Sequence, residues 1–147
     1  MIETRQLNIG DLDGTAILFD RYRQFYKQSS DLSAARNFVS ARLKKGDSIL
    51  IGAFDTGNLV GFTQLYPSFS SVGMKPKLIL NDMFVVEEAR RSGVARALLK
   101  AAEMFGKELG AGALLLATQR ENFAARQLYE ANGWTAETNF VYYNLAL

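Results

Sequence analysis

Between Leu78 and Ala102 the chain reads LILNDMFVVEEARRSGVARALLKAA. A strand pattern ends, a short turn carries Arg90, Arg91, Ser92 and Gly93, and a helical pattern begins at once with Val94, Ala95 and Arg96. Main-chain N–H groups of such a turn, and of the first turn of the helix, lack partners inside the helix. They converge on one spot, where the helix dipole adds partial positive charge. Gly93 lets the backbone approach a bound group closely, and Ala95 keeps a nearby position small. Between residues 90 and 107 five basic residues (Arg90, Arg91, Arg96, Lys100, Lys107) stand against one acid, Glu103. Arginines at a helix start run against the dipole, which favours an anionic ligand there over simple solvation. Together these groups have the physics of a pyrophosphate cradle. Taken alone, Gly93 could be a turn glycine and the arginines solvated charges.

Other phosphate loops are excluded by pattern. There is no GxxxxGK[ST], and Gly110-Ala111-Gly112 is an incomplete GxGxxG on the wrong side of a strand for a dinucleotide turn. The chain has no histidine and no cysteine. That removes a Ser-His-Asp triad, a histidine base, a Cys nucleophile, thiolate zinc sites and disulfides. Catalysis must use carboxylates, Tyr, Lys, Ser, Thr or the backbone.

The elements that must position the cradle follow from periodicity. Residues 2–9 alternate as a first strand. Asp11 reads as an N-cap for a helix with Leu12, Ala16, Phe19 and Tyr26 on one face, ending near Lys27. Asp31 caps a second helix, stopped by Gly46. Ser48–Phe54 and Leu59–Tyr66 read as a hairpin about Asp55-Thr56-Gly57-Asn58. Residues 67–77 read as a long loop whose Phe69, Ser70 and Ser71 could line an acceptor pocket or simply be surface. A strand at Leu78–Val86, an amphipathic helix at Ser92–Leu109, an apolar strand at Ala113–Thr118, a short helix at Asn122–Asn132 and a last strand at Phe140–Leu145 follow. The order β-α-α-β-β-β-α-β-α-β implies an α/β fold (an α+β mixed sheet) with helices on both faces.

Length bounds the rest. The 147 residues fit one domain of roughly 100–200 residues, and 48% hydrophobic with 22% charged residues is the composition of a soluble globule. Net charge of +2 does not announce a nucleic-acid binder. No apolar signal region opens the chain and no apolar stretch is long enough for a bilayer, so the expectation is a cytoplasmic protein with no membrane and no nucleic-acid partner.

Arg90-Arg91-Ser92-Gly93-Val94-Ala95 resembles the Q/R-x-x-G-x-G/A acetyl-CoA signature of the GNAT N-acetyltransferase superfamily. About 30 residues later, Asn122-Phe-Ala-Ala125-Arg-Gln-Leu128-Tyr129-Glu-Ala-Asn-Gly133-Trp134 is similar to that family's N-x-x-A-x-x-L/F-Y-x-x-x-G-F/W helix. The resemblance covers essentially the whole chain and implies a GNAT-like fold as a single N-acetyltransferase domain, 1–147. It implies a strand before the cradle that carries a β-bulge and splays from its neighbour. Main-chain groups of Met83, Phe84, Val85 and Val86 would pair with the pantetheine arm of acetyl-CoA, and one N–H would polarise the thioester carbonyl. Main-chain groups from Arg91 to Arg96 would take the pyrophosphate, Asn122 would touch the pantetheine, and Tyr129 would lie near the sulfur. Acetyl-CoA is the implied co-substrate, and no metal is implied.

The implied reaction is direct attack of a primary amine, on a small molecule or a protein, on the acetyl thioester. With a pKa of ~10.4 only about one amine in 10³ is uncharged at pH 7, so the site must remove a proton. Asp82 is the favoured base and Glu121 a weaker candidate; Tyr129 is the general acid for the leaving thiolate. Each has a plainer reading: Asp82 as a solvated or capping carboxylate, Tyr129 as a core aromatic beside Leu128. Asn81-Asp82 resembles the strand of members acting on polyamines and related small amines, where an acidic pair occupies these positions, and Asn81 departs from that pair. A homodimer is the family expectation, with the Tyr-rich end of the chain able to pair across it. The competing function is a non-catalytic acyl-CoA sensor of the same fold.

Overall fold

The computed structural model describes residues 1–147 and divides them into two compact units, Met1–Ala117 and Thr118–Leu147. The first unit begins with β1 (Ile2–Gln6), and a 3-10 turn capped by Asn8 follows; Asp11 stands at the N-cap position of the next helix, as expected, but makes no side-chain cap hydrogen bond there. Asn8 Oδ1 accepts from the Gly10 N–H (2.8 Å) and the Asp11 carboxylate accepts from the Asn8 N–H (2.9 Å), a reciprocal capping box. The 3-10 turn spans Ile9–Asp11, so the side-chain capping bonds lie three residues upstream of Asp11. Asp11 also accepts both arms of the Arg5 guanidinium (2.8 Å each).

Helix α1 (Leu12–Phe25) and helix α2 (Leu32–Lys45) are tied together through Asp20. Its buried carboxylate accepts from the Ser30 hydroxyl (2.6 Å) and the Asp31 N–H (2.8 Å). Asp31 then caps α2 through the Ala34 N–H (3.0 Å), and Gly46 ends it in the left-handed region, φ 63°.

Strands β2 (Ile49–Asp55), β3 (Asn58–Ser70), β4 (Lys75–Val85) and β5 (Ala113–Leu115) complete a sheet of order β1-β2-β3-β4-β5. The first three pairings are antiparallel and β4–β5 is parallel, joined by helix α3 (Val94–Leu109). The expected long loop at 67–77 is absent. β3 and β4 continue as a hairpin to Ser70↔Lys75, and only residues 71–74 turn. A proline is tolerated where the ladder needs no N–H, and here Pro67 pairs opposite Leu78 and Pro76 opposite Phe69.

Alternation on β3 sorts the two faces. Phe62 packs under Phe19 and Tyr22 of α1 (ring centroids 6.2 and 5.8 Å), whereas its neighbour Gly61 lies under α3. A Cβ at Gly61 would come within 3.0 Å of Val94 Cγ1 and 2.9 Å of the Phe84 carbonyl, so only glycine lets the start of α3 press on the sheet. Helices therefore cover both faces of a mixed sheet, as the sequence order implies. Each fully buried side chain of the size of Phe62 contributes about 1.5–3 kcal/mol to this core.

The second unit holds helix α4 (Phe123–Ala131), capped by Asn122 through the Ala125 N–H (3.2 Å). The strand expected at residues 140–145 is not assigned: a strand is defined by its ladder partner, and this unit holds no other strand. No helix of the chain is long and apolar enough to cross a membrane.

Candidate active site

The register of β3 against β4 slips once. Gln64 pairs with Asp82, and the next residue, Leu65, pairs with Leu80. Asn81 is therefore the extra residue of a β-bulge. Directly opposed residues share a face of the sheet, so Leu80 goes with Leu65 toward α3 while Asp82 goes with Gln64 toward α1. Without the bulge, Asp82 would keep the even-numbered parity of Leu78 and Leu80 and lie under α3. The alternation of LILNDMFVV alone leaves its face undecided.

Asp82 is 6% exposed and well partnered. Its Oδ1 accepts from the Tyr22 hydroxyl (2.8 Å) and the Asn81 amide (3.0 Å), and its Oδ2 accepts from the Gln64 amide (2.8 Å). Gln64 Oε1 in turn accepts from Ser48 Oγ (2.9 Å). Burial first, and then the charge of Asp82 and the hydrogen bond to it, push the Tyr22 phenol far above its ordinary range. Tyr66 is pushed up too, by burial and then by the Asp82 charge, partly offset by Arg42. Tyr22, Gln64 and Ser48 were not singled out from sequence. The available signal was Gln64, a glutamine inside the apolar run GFTQLY, because a buried amide needs a partner.

Beyond the bulge, β4 runs on to Val85 while its pairing with β5 ends at Ile79↔Leu115. The Val86 N–H donates to the Val60 carbonyl on β3 (2.9 Å). Alternation then turns the main-chain groups of Phe84 toward β3 as well, and those of Met83 and Val85 toward the other edge. The Val85 carbonyl does face that edge, accepting from Arg90 Nε (3.0 Å). The four consecutive residues thus divide: Met83 and Val85 offer main-chain groups away from β3, while Phe84 and Val86 put their side chains into the core.

A short 3-10 turn, Glu87–Ala89, leads to the cradle. Arg91 (φ 63°) and Gly93 (φ 86°) both lie in the left-handed region, and the Ser92 hydroxyl donates to the Ala89 carbonyl. Gly93 caps α3 with no side-chain hydrogen bond, which leaves the N–H groups of Val94, Ala95 and Arg96 without a helical partner. A Cβ at Gly93 would meet nothing within 4 Å, so the glycine is required by backbone conformation and not by crowding. Arg91 and Arg96 are exposed at this end. Arg90 is turned back instead, its guanidinium over the rings of Phe25 (5.5 Å) and Phe84 (5.8 Å).

In the second unit, Tyr129 lies on α4 with its ring 6.2 Å from that of Trp134, and Asn122 spends its side-chain oxygen on the helix cap. Glu121 is exposed.

A family model described as the acetyltransferase (GNAT) family matches residues 15–134. An uncharacterized N-acetyltransferase of Bacillus subtilis (strain 168), YhfO, is 48% identical over 141 residues, 96% of this chain and 95% of its own length. The aminoglycoside N(6')-acetyltransferase type 1 of Klebsiella aerogenes is 30% identical over 105 residues, 70% of this chain and 69% of its own. The crystal structure of a probable acetyltransferase superposes with a TM-score of 0.94 at 37% identity, covering 99% of this chain and 97% of that one. The chain belongs to the acetyltransferase (GNAT) family and is an acetyl-CoA-dependent acyltransferase.

Proposed function

We propose that the chain transfers the acetyl group of acetyl-CoA to a primary amine by direct attack, with Asp82 as the base. The observation that carries this reading is the bulge at Asn81, which turns a buried carboxylate to the α1 face one residue before the main-chain edge of Met83 and Val85.

The residues fit the co-substrate. Met83 and Val85 offer an edge where β5 no longer pairs, and α3 starts with uncapped N–H groups beside exposed arginines. Met83 and Val85 would hold the pantetheine amides as an added strand does, and a main-chain N–H here would polarise the thioester carbonyl. Arg91, Ser92, Gly93, Val94, Ala95 and Arg96 would bind the pyrophosphate through main-chain N–H groups. Arg90 must then release the Val85 carbonyl. Acetyl-CoA supplies an acetyl group activated as a thioester. Asp82 removes the proton that keeps the amine cationic, and Tyr129 protonates the departing sulfur; the second signature, from Asn122 to Trp134, supports Tyr129 in that role and Asn122 as a pantetheine contact.

The match over residues 15–134 crosses the division at Ala117, which supports one working domain over 1–147. The reading assigns no metal, nucleic acid or membrane, and takes the protein as a cytoplasmic homodimer. Thiol release from acetyl-CoA is the test, over a panel of spermidine, lysine peptides and aminoglycosides, the last supported by the Klebsiella relative. Release with at least one amine is expected. Tight coenzyme A binding with no release for any amine overturns this reading in favour of an acyl-CoA sensor.

A further inference from the structure

We infer that Tyr22 is the port through which the acceptor's proton reaches Asp82, an inference that rests on the amine-acetylation reading. Asp82 is nearly sealed from solvent, and three side chains already donate to its two oxygens. Tyr22 is only half-buried, and its hydroxyl donates to Asp82 Oδ1 at 2.8 Å. That bond uses the one hydroxyl proton and leaves the oxygen's acceptor lone pairs for an incoming N–H. Tyr26 stands edge-on to Tyr22, 5.2 Å between ring centroids, and Tyr66 lies close enough to feel the Asp82 charge. Aromatic rings about a carboxylate favour a cation, and a protonated primary amine is one.

The step balances. The ammonium gives one proton to Tyr22 Oη while the Tyr22 proton passes to Asp82 Oδ1. The products are a neutral amine, an unchanged tyrosine and a neutral carboxylic acid. Because burial opposes both a free phenolate and a doubly protonated phenol, the two transfers are concerted. Gln64, anchored by Ser48, holds the second oxygen and positions the carboxylate.

The experiment compares wild type, Tyr22→Phe, Asp82→Asn and the double variant in the thiol-release assay, with acetyl-CoA affinity read by calorimetry. Tyr22→Phe is expected to lower kcat/KM for the amine about 10²-fold while acetyl-CoA affinity stays within about twofold. The double variant is expected to be no slower than Asp82→Asn alone, since both residues serve one transfer. Should Tyr22→Phe not fold, a proton inventory of wild-type kcat/KM in H2O/D2O mixtures reads the same step, and two protons in flight are expected. An active wild type with a Tyr22→Phe rate within twofold, a double variant whose losses multiply, or an inventory with a single proton in flight overturns the inference. A wild type that acetylates no amine overturns the underlying reading instead, so the two failures are distinct.

Discussion

Asp82 and Tyr129 carry opposite halves of the proposed proton traffic, and their substitutions fail differently. Asp82→Asn leaves one acceptor oxygen and one amide among three donors, so a donor–donor conflict arises with Gln64 or with Tyr22 and Asn81. The expected result is a fall in kcat of roughly 10²–10⁴-fold, together with a loss of about 1–3 kcal/mol in urea denaturation from the unsatisfied buried group. Tyr129→Phe removes only a hydroxyl. At saturating acetyl-CoA it is expected to lower kcat by roughly 10²-fold with little change in KM for the amine; an unchanged kcat removes Tyr129 from the chemistry.

Two elements are held by single residues. At the start of α3, Gly93→Ala forces an L side chain to φ 86°. Since the added methyl meets nothing, the cost is backbone strain of about 1–2 kcal/mol. A lower Tm and a weaker acetyl-CoA Kd by calorimetry are expected together, because the same main-chain conformation would aim the N–H groups. At the start of α4, Asn122→Ala removes the cap on the Ala125 N–H and is expected to cost about 1 kcal/mol of stability. If Asn122 also meets the pantetheine, acetyl-CoA affinity drops as well, which separates the cap from the contact.

Acidification acts on the whole first unit through the joint between α1 and α2. The Ser30 hydroxyl first, and then the Asp31 N–H, hold the Asp20 carboxyl below the usual carboxylate range. The unfolded chain therefore binds that proton more readily than the folded one. Asp20's contribution is complete above its unfolded value near ~3.9 and is lost as pH falls through the lower folded value. A urea midpoint that is flat above roughly pH 5 and declines below it is expected, with the decline shallower in Asp20→Asn. No acid-dependent difference between the two proteins removes Asp20 from this role.

The primary sequence by itself determined what is local and what depends on residue type. The Arg90–Ala95 turn, the Asp31 cap, the Gly46 stop and the amphipathic α3 all follow from neighbours a few residues apart. The lack of histidine and cysteine confined the chemistry before any contact was known. Tertiary structure decided what depends on distant pairing. Only opposition to Gln64 and Leu65 makes Asn81 a bulge and turns Asp82 to the α1 face. Only packing of α1 on the sheet brings Tyr22, 60 residues away, onto that carboxylate. Continuation of the β3–β4 hairpin through two prolines likewise depends on which N–H groups the ladder uses. Strand register and face are relations between segments, and no single stretch of sequence contains its partner.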